Sequence, residues 1–225
     1  LTRVKFRFGD SWGEFGALVA SGSVSLEGSG TLVHERGKLM QEAVPEGKGA
    51  MLAVMGLDVN ELNTLLNKFN DKNGTCEIAN DNSLGQIILS GDKESLISFS
   101  NNLKLEKKRC IFLPVSAPFH CSLMKPAAEK MKLFLQKTEF KNTTLKIISN
   151  VTALPVKKDE DIKDLLYKQI FSQVRWRETV EYMIKNDIND FIEIGPGKVL
   201  SGLVKRTNDK VLTRSLTKIE DIKNL

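Results

Sequence analysis

The sequence has no apolar run that approaches the roughly 18 residues needed to cross a bilayer. Its first residues, LTRVK, lack the apolar core of a signal peptide. Cysteine is scarce too, because Cys76, Cys110 and Cys121 form an odd set without the spacing of a zinc site. These absences predict a protein of the cytoplasm or of an organelle interior, with free thiols and without a membrane span or a bound metal.

Aromatic residues are also few, at 7% of the chain, and the lysines are scattered. A nucleic-acid-binding surface is therefore not indicated, although the net charge is +5. The mildly basic surface instead favours an acidic partner or a phosphorylated ligand. Internal repeats and low-complexity tracts are absent from the sequence.

What the chain does have is length and apolar content: 225 residues, 41% of them hydrophobic, suffice for one large domain with a smaller one inserted. The clearest pattern follows residue 48, where the periodicities run in the order β-α-β-β-α-β. This order is typical of a ferredoxin-like unit. Its predicted strands are Gly49–Gly56, Thr75–Ala79, Gly85–Ser90 and Arg109–Val115, and its predicted helices are Val59–Phe69 and Lys93–Leu103.

Residues 9–13 form a G-x-S-x-G motif with Ser11 at its centre. Glycines at these positions allow a sharp turn from a strand into a helix, which exposes the serine hydroxyl above the helix N-terminus. The predicted strand is Val4–Phe8, although Lys5 and Arg7 interrupt the apolar run expected of a strand that is covered on both faces. The motif alone fits a glycine-rich loop equally well.

After residue 115 the pattern returns to helices and strands. The predicted helices are Leu123–Leu135, Asp161–Ile170 and Glu178–Ile184, and the predicted strands are Thr144–Ser149, Asp190–Ile194 and Val211–Thr213. We therefore predict an α/β protein with an α/β-hydrolase-like, parallel-sheet core. Residues 1–47 and 114–225 form this core, and residues 48–113 are the inserted ferredoxin-like subdomain.

A serine hydroxyl is a poor nucleophile near neutral pH and needs a base within hydrogen-bond reach. The chain has two histidines: His120, in a Pro-Phe-His-Cys loop, is the candidate base, and His34 is predicted to lie on a helix surface. His120 also fits a packed residue without a catalytic role. Cys121 is an alternative nucleophile, but adjacent side chains rarely face each other. No acidic residue between the serine and the histidine stands out as a third triad member.

Several spaced blocks resemble malonyl-CoA:acyl carrier protein transacylases of type II fatty-acid synthesis, in the order found in that family. Such a series is far more specific than one serine motif. The blocks extend over the whole chain: GDSWGE (9–14), HERGKLMQ (34–41), ANDNS (79–83) with GQIILSG (85–91), VSAPFH (115–120), KQ (168–169), VRW (174–176) and EIGPGKVL (193–200).

The resemblance implies a catalytic dyad of Ser11 and His120, with His120 oriented by the main-chain carbonyl of Gln169. It implies that the Trp12 backbone N–H serves the oxyanion hole, and that Arg36 binds the malonyl carboxylate. A guanidinium suits this task because it grips a carboxylate with two parallel hydrogen bonds. By residue type alone, Arg36 and Gln169 are equally well ordinary helix residues.

The implied enzyme is a monomeric [acyl-carrier-protein] S-malonyltransferase that uses malonyl-CoA and acyl carrier protein as substrates. No metal, redox cofactor, nucleic acid or membrane is implied. The family has histidine in place of Asp10 and commonly leucine in place of Trp12. It also has a leading segment with a Gly-Gln-Gly motif that we do not find in this sequence, so we expect an N-terminally truncated chain. A serine hydrolase, a polyketide-type acyltransferase and a non-catalytic module that binds acyl carrier protein stay open as alternatives.

Overall fold

The computed structural model describes residues 4–69, 74–142, 145–156 and 160–223. Thr144, the first residue of one predicted strand, and the two ends of the predicted core domain lie outside these ranges. Within them, helices alternate with parallel and antiparallel strands, which confirms the predicted α/β class. None of the described helices is long and apolar enough to span a membrane.

Three elements come before the predicted insertion: strand β1 (Phe6–Arg7), helix α1 (Gly13–Ala20) and helix α2 (Leu26–Glu42). Helix α2 begins after Ser25, whose Oγ accepts a hydrogen bond from the Gly28 N–H at 3.0 Å. Strand β1 is short and only half-buried. Its exposure explains why Arg7 within it and exposed Lys5 just before it are tolerated, since a charged side chain can reach solvent there.

The βαββαβ order predicted for the insertion is confirmed. Its elements are β2 (Gly49–Met55), α3 (Val59–Phe69), β3 (Cys76–Ser83), β4 (Gln86–Asp92), α4 (Lys93–Leu105) and β5 (Arg109–Phe112). The four strands form one antiparallel sheet in the order β3-β4-β2-β5. One face of β2, with Leu52 and Val54, packs in a core with residues of α3 and α4. The other face, with Met51 and Ala53, packs with Phe119.

The second face of β2 thus brings the inserted sheet against the loop that carries His120. A Cβ added to Gly49 would lie 2.3 Å from Pro118 Cδ, so the strand and the loop are in close contact there. Because both faces of β2 are covered, its sequence is an unbroken apolar run rather than an alternating one.

The chain continues through α5 (Lys125–Lys137), β6 (Lys146–Ile147), α6 (Glu160–Gln169), α7 (Trp176–Lys185), β7 (Asp190–Ile194), α8 (Val199–Thr207), β8 (Leu212–Leu216) and α9 (Ile219–Ile222). Among the described residues, the parallel strands form two separate pairs, β1 with β6 and β7 with β8. Helix α8 was not predicted. It is short, and its Ser201-Gly202 step has low helix propensity.

The parallel pairing of β1 with β6 decides where the site lies. The carboxyl ends of parallel strands meet at the same edge, so Ser11 after β1 and Asn150 after β6 become neighbours. Helices α1, α2, α5 and α6 share one apolar core beside this edge, with Phe15, Leu32 and Leu166 among its buried members.

Candidate active site

Ser11 lies in a turn that its neighbours hold in an uncommon backbone conformation, with φ of 50°. Its N–H donates to Asn150 Oδ1 at 2.7 Å, and Asn150 Nδ2 donates to the Gly9 carbonyl at 2.7 Å. The turn is also compact, because a Cβ on Gly9 would lie 2.2 Å from the carbonyl group of Gly13. The Asn150 side chain therefore fixes the strand-to-helix turn at Gly9 and at Ser11.

The hydroxyl of Ser11 contacts His120: Oγ and Nε2 are 2.8 Å apart. On the other side of the ring, Nδ1 lies 2.9 Å from the main-chain oxygen of Gln169. A carbonyl oxygen can only accept, so Nδ1 carries the proton and Nε2 is left to accept from the serine hydroxyl. This tautomer is the one that a general base requires.

His120 is 5% exposed. Burial is the main reason that its pKa falls to about 3, and the positive charge of Arg36 lowers the pKa further. Hydrogen bonds to the backbone of Gln169 and Ser172 act in the opposite direction. The imidazole is therefore neutral at physiological pH, which leaves Nε2 free to take up a proton.

Arg36 reaches the same hydroxyl from helix α2. Its Nη2 donates to Ser11 Oγ at 3.0 Å and to Gln169 Oε1 at 3.1 Å, and the guanidinium lies 5.9 Å from the ring centre of Phe15. The side chain is 7% exposed, and burial lowers its pKa to about 10, so it stays charged. Its Nε is buried and has no hydrogen-bond partner among the described residues.

The side chain of Gln169 bridges these groups. Its Nε2 donates to the Ser11 carbonyl at 2.9 Å and to Glu14 Oε2 at 2.6 Å, while its Oε1 faces Arg36. Gln169 is thus in contact with the nucleophile, the guanidinium and, through its main chain, His120. Four of the five residues that the sequence analysis selected are brought together around one hydroxyl.

Trp12, the fifth selected residue, projects its ring outward and is 64% exposed. Its backbone immediately follows Ser11, and no described residue accepts a hydrogen bond from its N–H. The Trp12 N–H is therefore available to an oxygen bound beside the serine. The two alternatives from the sequence have other surroundings: His34 is exposed, and Cys121 is buried, with Sγ donating to the Pro118 carbonyl at 3.2 Å.

Two carboxyl groups lie near this site: Glu14 is buried, and Asp10 is half-buried. Burial raises the pKa of Asp10 to about 6 and that of Glu14 to about 7, and the positive charge of Arg36 partly offsets both effects. Asp10 Oδ1 is buried without a hydrogen-bond partner among the described residues. Neither carboxyl group hydrogen-bonds His120, so the histidine is oriented by a carbonyl and not by an acid.

The sequence analysis overlooked Glu14 and Asn150. Glu14 is the second residue of α1, where an acid is commonly explained by the helix dipole alone. Asn150 follows the end of a strand, and polar residues at the carboxyl ends of parallel strands often line sites. That position was the signal that could have identified Asn150. Among the described residues, no three His, Cys, Asp or Glu side chains are grouped to hold a metal.

Comparisons with known proteins agree on one family. Residues 6–223 match the model of the acyl transferase domain. Malonyl CoA-acyl carrier protein transacylase of Bacillus subtilis (strain 168) is 42% identical over 219 residues, which cover 96% of this chain and 69% of that protein. The crystal structure of malonyl CoA-acyl carrier protein transacylase from Clostridium perfringens superposes with a TM-score of 0.94 at 38% identity, covering 99% of this chain and 70% of that one.

A third match is a malonyl-transacylase solved in complex with its type II PKS acyl-carrier protein. It superposes with a TM-score of 0.93 at 35% identity, covering 99% of this chain and 72% of that one. The matches thus extend over nearly all of this chain and over about seven tenths of each relative.

Proposed function

The chain belongs to the acyl transferase family represented by malonyl CoA-acyl carrier protein transacylases, and from this premise we propose that it transfers malonyl from malonyl-CoA to acyl carrier protein. Membership confirms the resemblance stated from the sequence. The observation that carries the proposal is the contact of one hydroxyl, Ser11 Oγ, with both His120 Nε2 at 2.8 Å and Arg36 Nη2 at 3.0 Å. A base and a carboxylate-binding cation then act on one nucleophile.

In the first half-reaction, Ser11 Oγ attacks the thioester carbonyl of malonyl-CoA while its proton passes to His120 Nε2. The tetrahedral oxyanion accepts a hydrogen bond from the Trp12 N–H. When the C–S bond breaks, the proton moves from Nε2 to the sulfur of CoA, and a malonyl ester remains on the serine. The carbonyl of Gln169 stabilises the transient imidazolium through Nδ1–H.

In the second half-reaction, the phosphopantetheine thiol of acyl carrier protein attacks the ester, and His120 is again the base. The sulfur gains the malonyl group and Ser11 regains its proton. The relative solved with a carrier protein supports this acceptor. A monomeric enzyme and the cytoplasmic location predicted from the sequence are part of the same proposal.

Arg36 selects the acyl group in this mechanism. Its guanidinium is buried and charged, so a malonyl carboxylate gains a charge-assisted contact that an acetyl group cannot make. The same contact holds the thioester near Ser11 Oγ, which makes the attack effectively intramolecular.

Intact-mass spectrometry after incubation with malonyl-CoA tests the proposal. We expect the wild-type chain to gain one malonyl group, Ser11→Ala to gain none, and the matched loop variant Ser116→Ala to behave as wild type. Absence of an adduct on the wild-type chain would reject the transferase and favour the non-catalytic, carrier-binding alternative. An adduct that persists in Ser11→Ala would reject Ser11 as the nucleophile.

A second measurement separates the malonyl enzyme from a hydrolase of neutral esters. Replacing Arg36 by alanine should lower kcat/KM for malonyl-CoA by about 100-fold or more, because hydrogen bonds to charged groups contribute about 1.5–3 kcal/mol each. Hydrolysis of a neutral ester should barely change. The match to a polyketide malonyl-transacylase keeps one further candidate, transfer to a polyketide carrier protein, and direct comparison of the two carriers as acceptors decides between them.

A further inference from the structure

Glu14 is a buried acid that the mechanism above does not use. It is 3% exposed, and its Oε2 accepts hydrogen bonds from Gln169 Nε2 at 2.6 Å and from the Asn150 N–H at 3.2 Å. The described residues form no ion pair with it. A buried carboxyl group without an ion pair is costly, and such groups are concentrated at functional sites.

The Gln169 amide that Glu14 contacts has a defined direction. Its Nε2 donates to Glu14 and to the Ser11 carbonyl, and its Oε1 accepts from Arg36 Nη2 at 3.1 Å. The two ends of an amide have nearly the same shape but opposite hydrogen-bonding character. Rotation by half a turn would place the NH2 group against the guanidinium and the oxygen against a carbonyl and a carboxyl group.

We propose that Glu14 is a positioning residue, which acts on the acyl transfer through the side-chain amide of Gln169. Its carboxyl oxygen accepts from Nε2 and so disfavours the rotated amide, which keeps Oε1 against Arg36. This inference rests on the transferase proposed above. Glu14 does not contact Ser11 Oγ or His120, so its influence reaches the reaction through the placement of the guanidinium.

This chain of contacts predicts a selective defect. Arg36 contacts the carboxylate of a malonyl donor, whereas an acetyl donor has no group for this contact. Loss of Glu14 should therefore impair malonyl transfer more than acetyl transfer. General damage to the fold would instead lower the rates with both donors by the same factor, so the ratio of the two kcat/KM values separates the two causes.

The test compares Glu14→Gln and Glu14→Leu with Glu27→Gln, a matched control that removes an exposed acid from the first turn of α2. Glutamine keeps the size of the side chain, and Glu14 itself is close to half protonated at neutral pH. Glu14→Gln is therefore expected to fold even if Glu14→Leu does not. Initial acylation rates with malonyl-CoA and acetyl-CoA are measured for each chain by intact mass.

We expect the malonyl-to-acetyl ratio to fall by about tenfold in Glu14→Leu, which removes the acceptor, and by about threefold in Glu14→Gln, whose amide oxygen can still accept from Gln169 Nε2, and to stay at the wild-type value in Glu27→Gln. A ratio within about twofold of wild type in each Glu14 variant that folds, or an equal loss with both donors, overturns the positioning role and leaves the transferase intact. A wild-type chain that is not acylated overturns both proposals.

Discussion

Replacing Gly9 by alanine tests how strongly the serine turn depends on close backbone packing. The added Cβ would lie 2.2 Å from the carbonyl carbon and oxygen of Gly13, where carbon atoms in contact need about 3.5 Å. Overpacking typically costs about 1–3 kcal/mol. Here the atoms that clash belong to the main chain, which has no alternative rotamer, so we expect a loss of about 3 kcal/mol in the free energy of unfolding. Displacing Ser11 by about 1 Å should also slow acylation by about 100-fold.

Gly13→Ala is the control from the same motif. A Cβ on Gly13 meets no atom within 4 Å, and the residue begins helix α1, where alanine is favoured over glycine by about 1 kcal/mol. We expect stability at or slightly above the wild-type value and an unchanged acylation rate. Urea denaturation and intact-mass kinetics measure both effects. Equal urea midpoints for Gly9→Ala and wild type, or equal losses in the two variants, would refute the reasoning.

Two further predictions concern stability. The fold raises the pKa of the Glu14 carboxyl group to about 7. Protonated Glu14 therefore makes its full contribution to the free energy of unfolding below about pH 4.5, and this contribution is lost as the pH rises through 7. Relative to Glu14→Gln, the wild-type chain should lose about 2–3 kcal/mol of unfolding free energy between pH 5 and pH 8, and a constant difference would contradict this. Gly49→Ala should lose about 1–3 kcal/mol in the free energy of unfolding, because its Cβ would lie 2.3 Å from Pro118 Cδ. Gly30→Ala in helix α2 adds no contact and should not destabilise the protein. Equal denaturation midpoints for the two variants would contradict this packing.

The fold was largely predictable because its signals are local. Short apolar runs and helical periodicities located the antiparallel sheet and its helices, and Ser25 caps α2 through a hydrogen bond that spans three residues. Helix α8 was missed because its short Ser-Gly-containing sequence has weak propensity and is stabilised by packing, with Leu203 and Val204 buried in the core around Trp176.

From residue types alone, the site was predictable only where a type limits the chemistry, and the family resemblance supplied Arg36, Gln169 and Trp12. Ser11 and His120 are identifiable because few other side chains can act as nucleophile and base, and their contact spans 109 positions that no periodicity encodes. Glu14 and Asn150 illustrate the opposite case. Their roles depend on which distant backbone groups they meet: Asn150 Oδ1 accepts from Ser11, 139 positions away, and residue type alone does not specify that partner.

The low pKa of His120 leads to a last prediction, on how the substrate changes the base. A pKa near 3 makes the imidazole a weak base, and Arg36 contributes to that value. The contacts through Ser11 Oγ place Arg36 Nη2 at most about 6 Å from Nε2, where one charge at an effective dielectric constant of about 20 alters a pKa by about two pH units. A carboxylate bound to Arg36 would offset much of this effect.

Malonate should therefore raise the pKa of His120, whereas acetamide, which has no carboxylate, should leave it unchanged. NMR titration of the imidazole C–H signals measures this change, and exposed His34, the only other histidine in the sequence, is an internal reference. Arg36→Ala should raise the pKa of His120 without any ligand and abolish the response to malonate. An unchanged titration of His120 in saturating malonate would contradict the coupling. If the coupling holds, the malonyl carboxylate both orients the thioester and strengthens the base, so one guanidinium accounts for selectivity in binding and in rate.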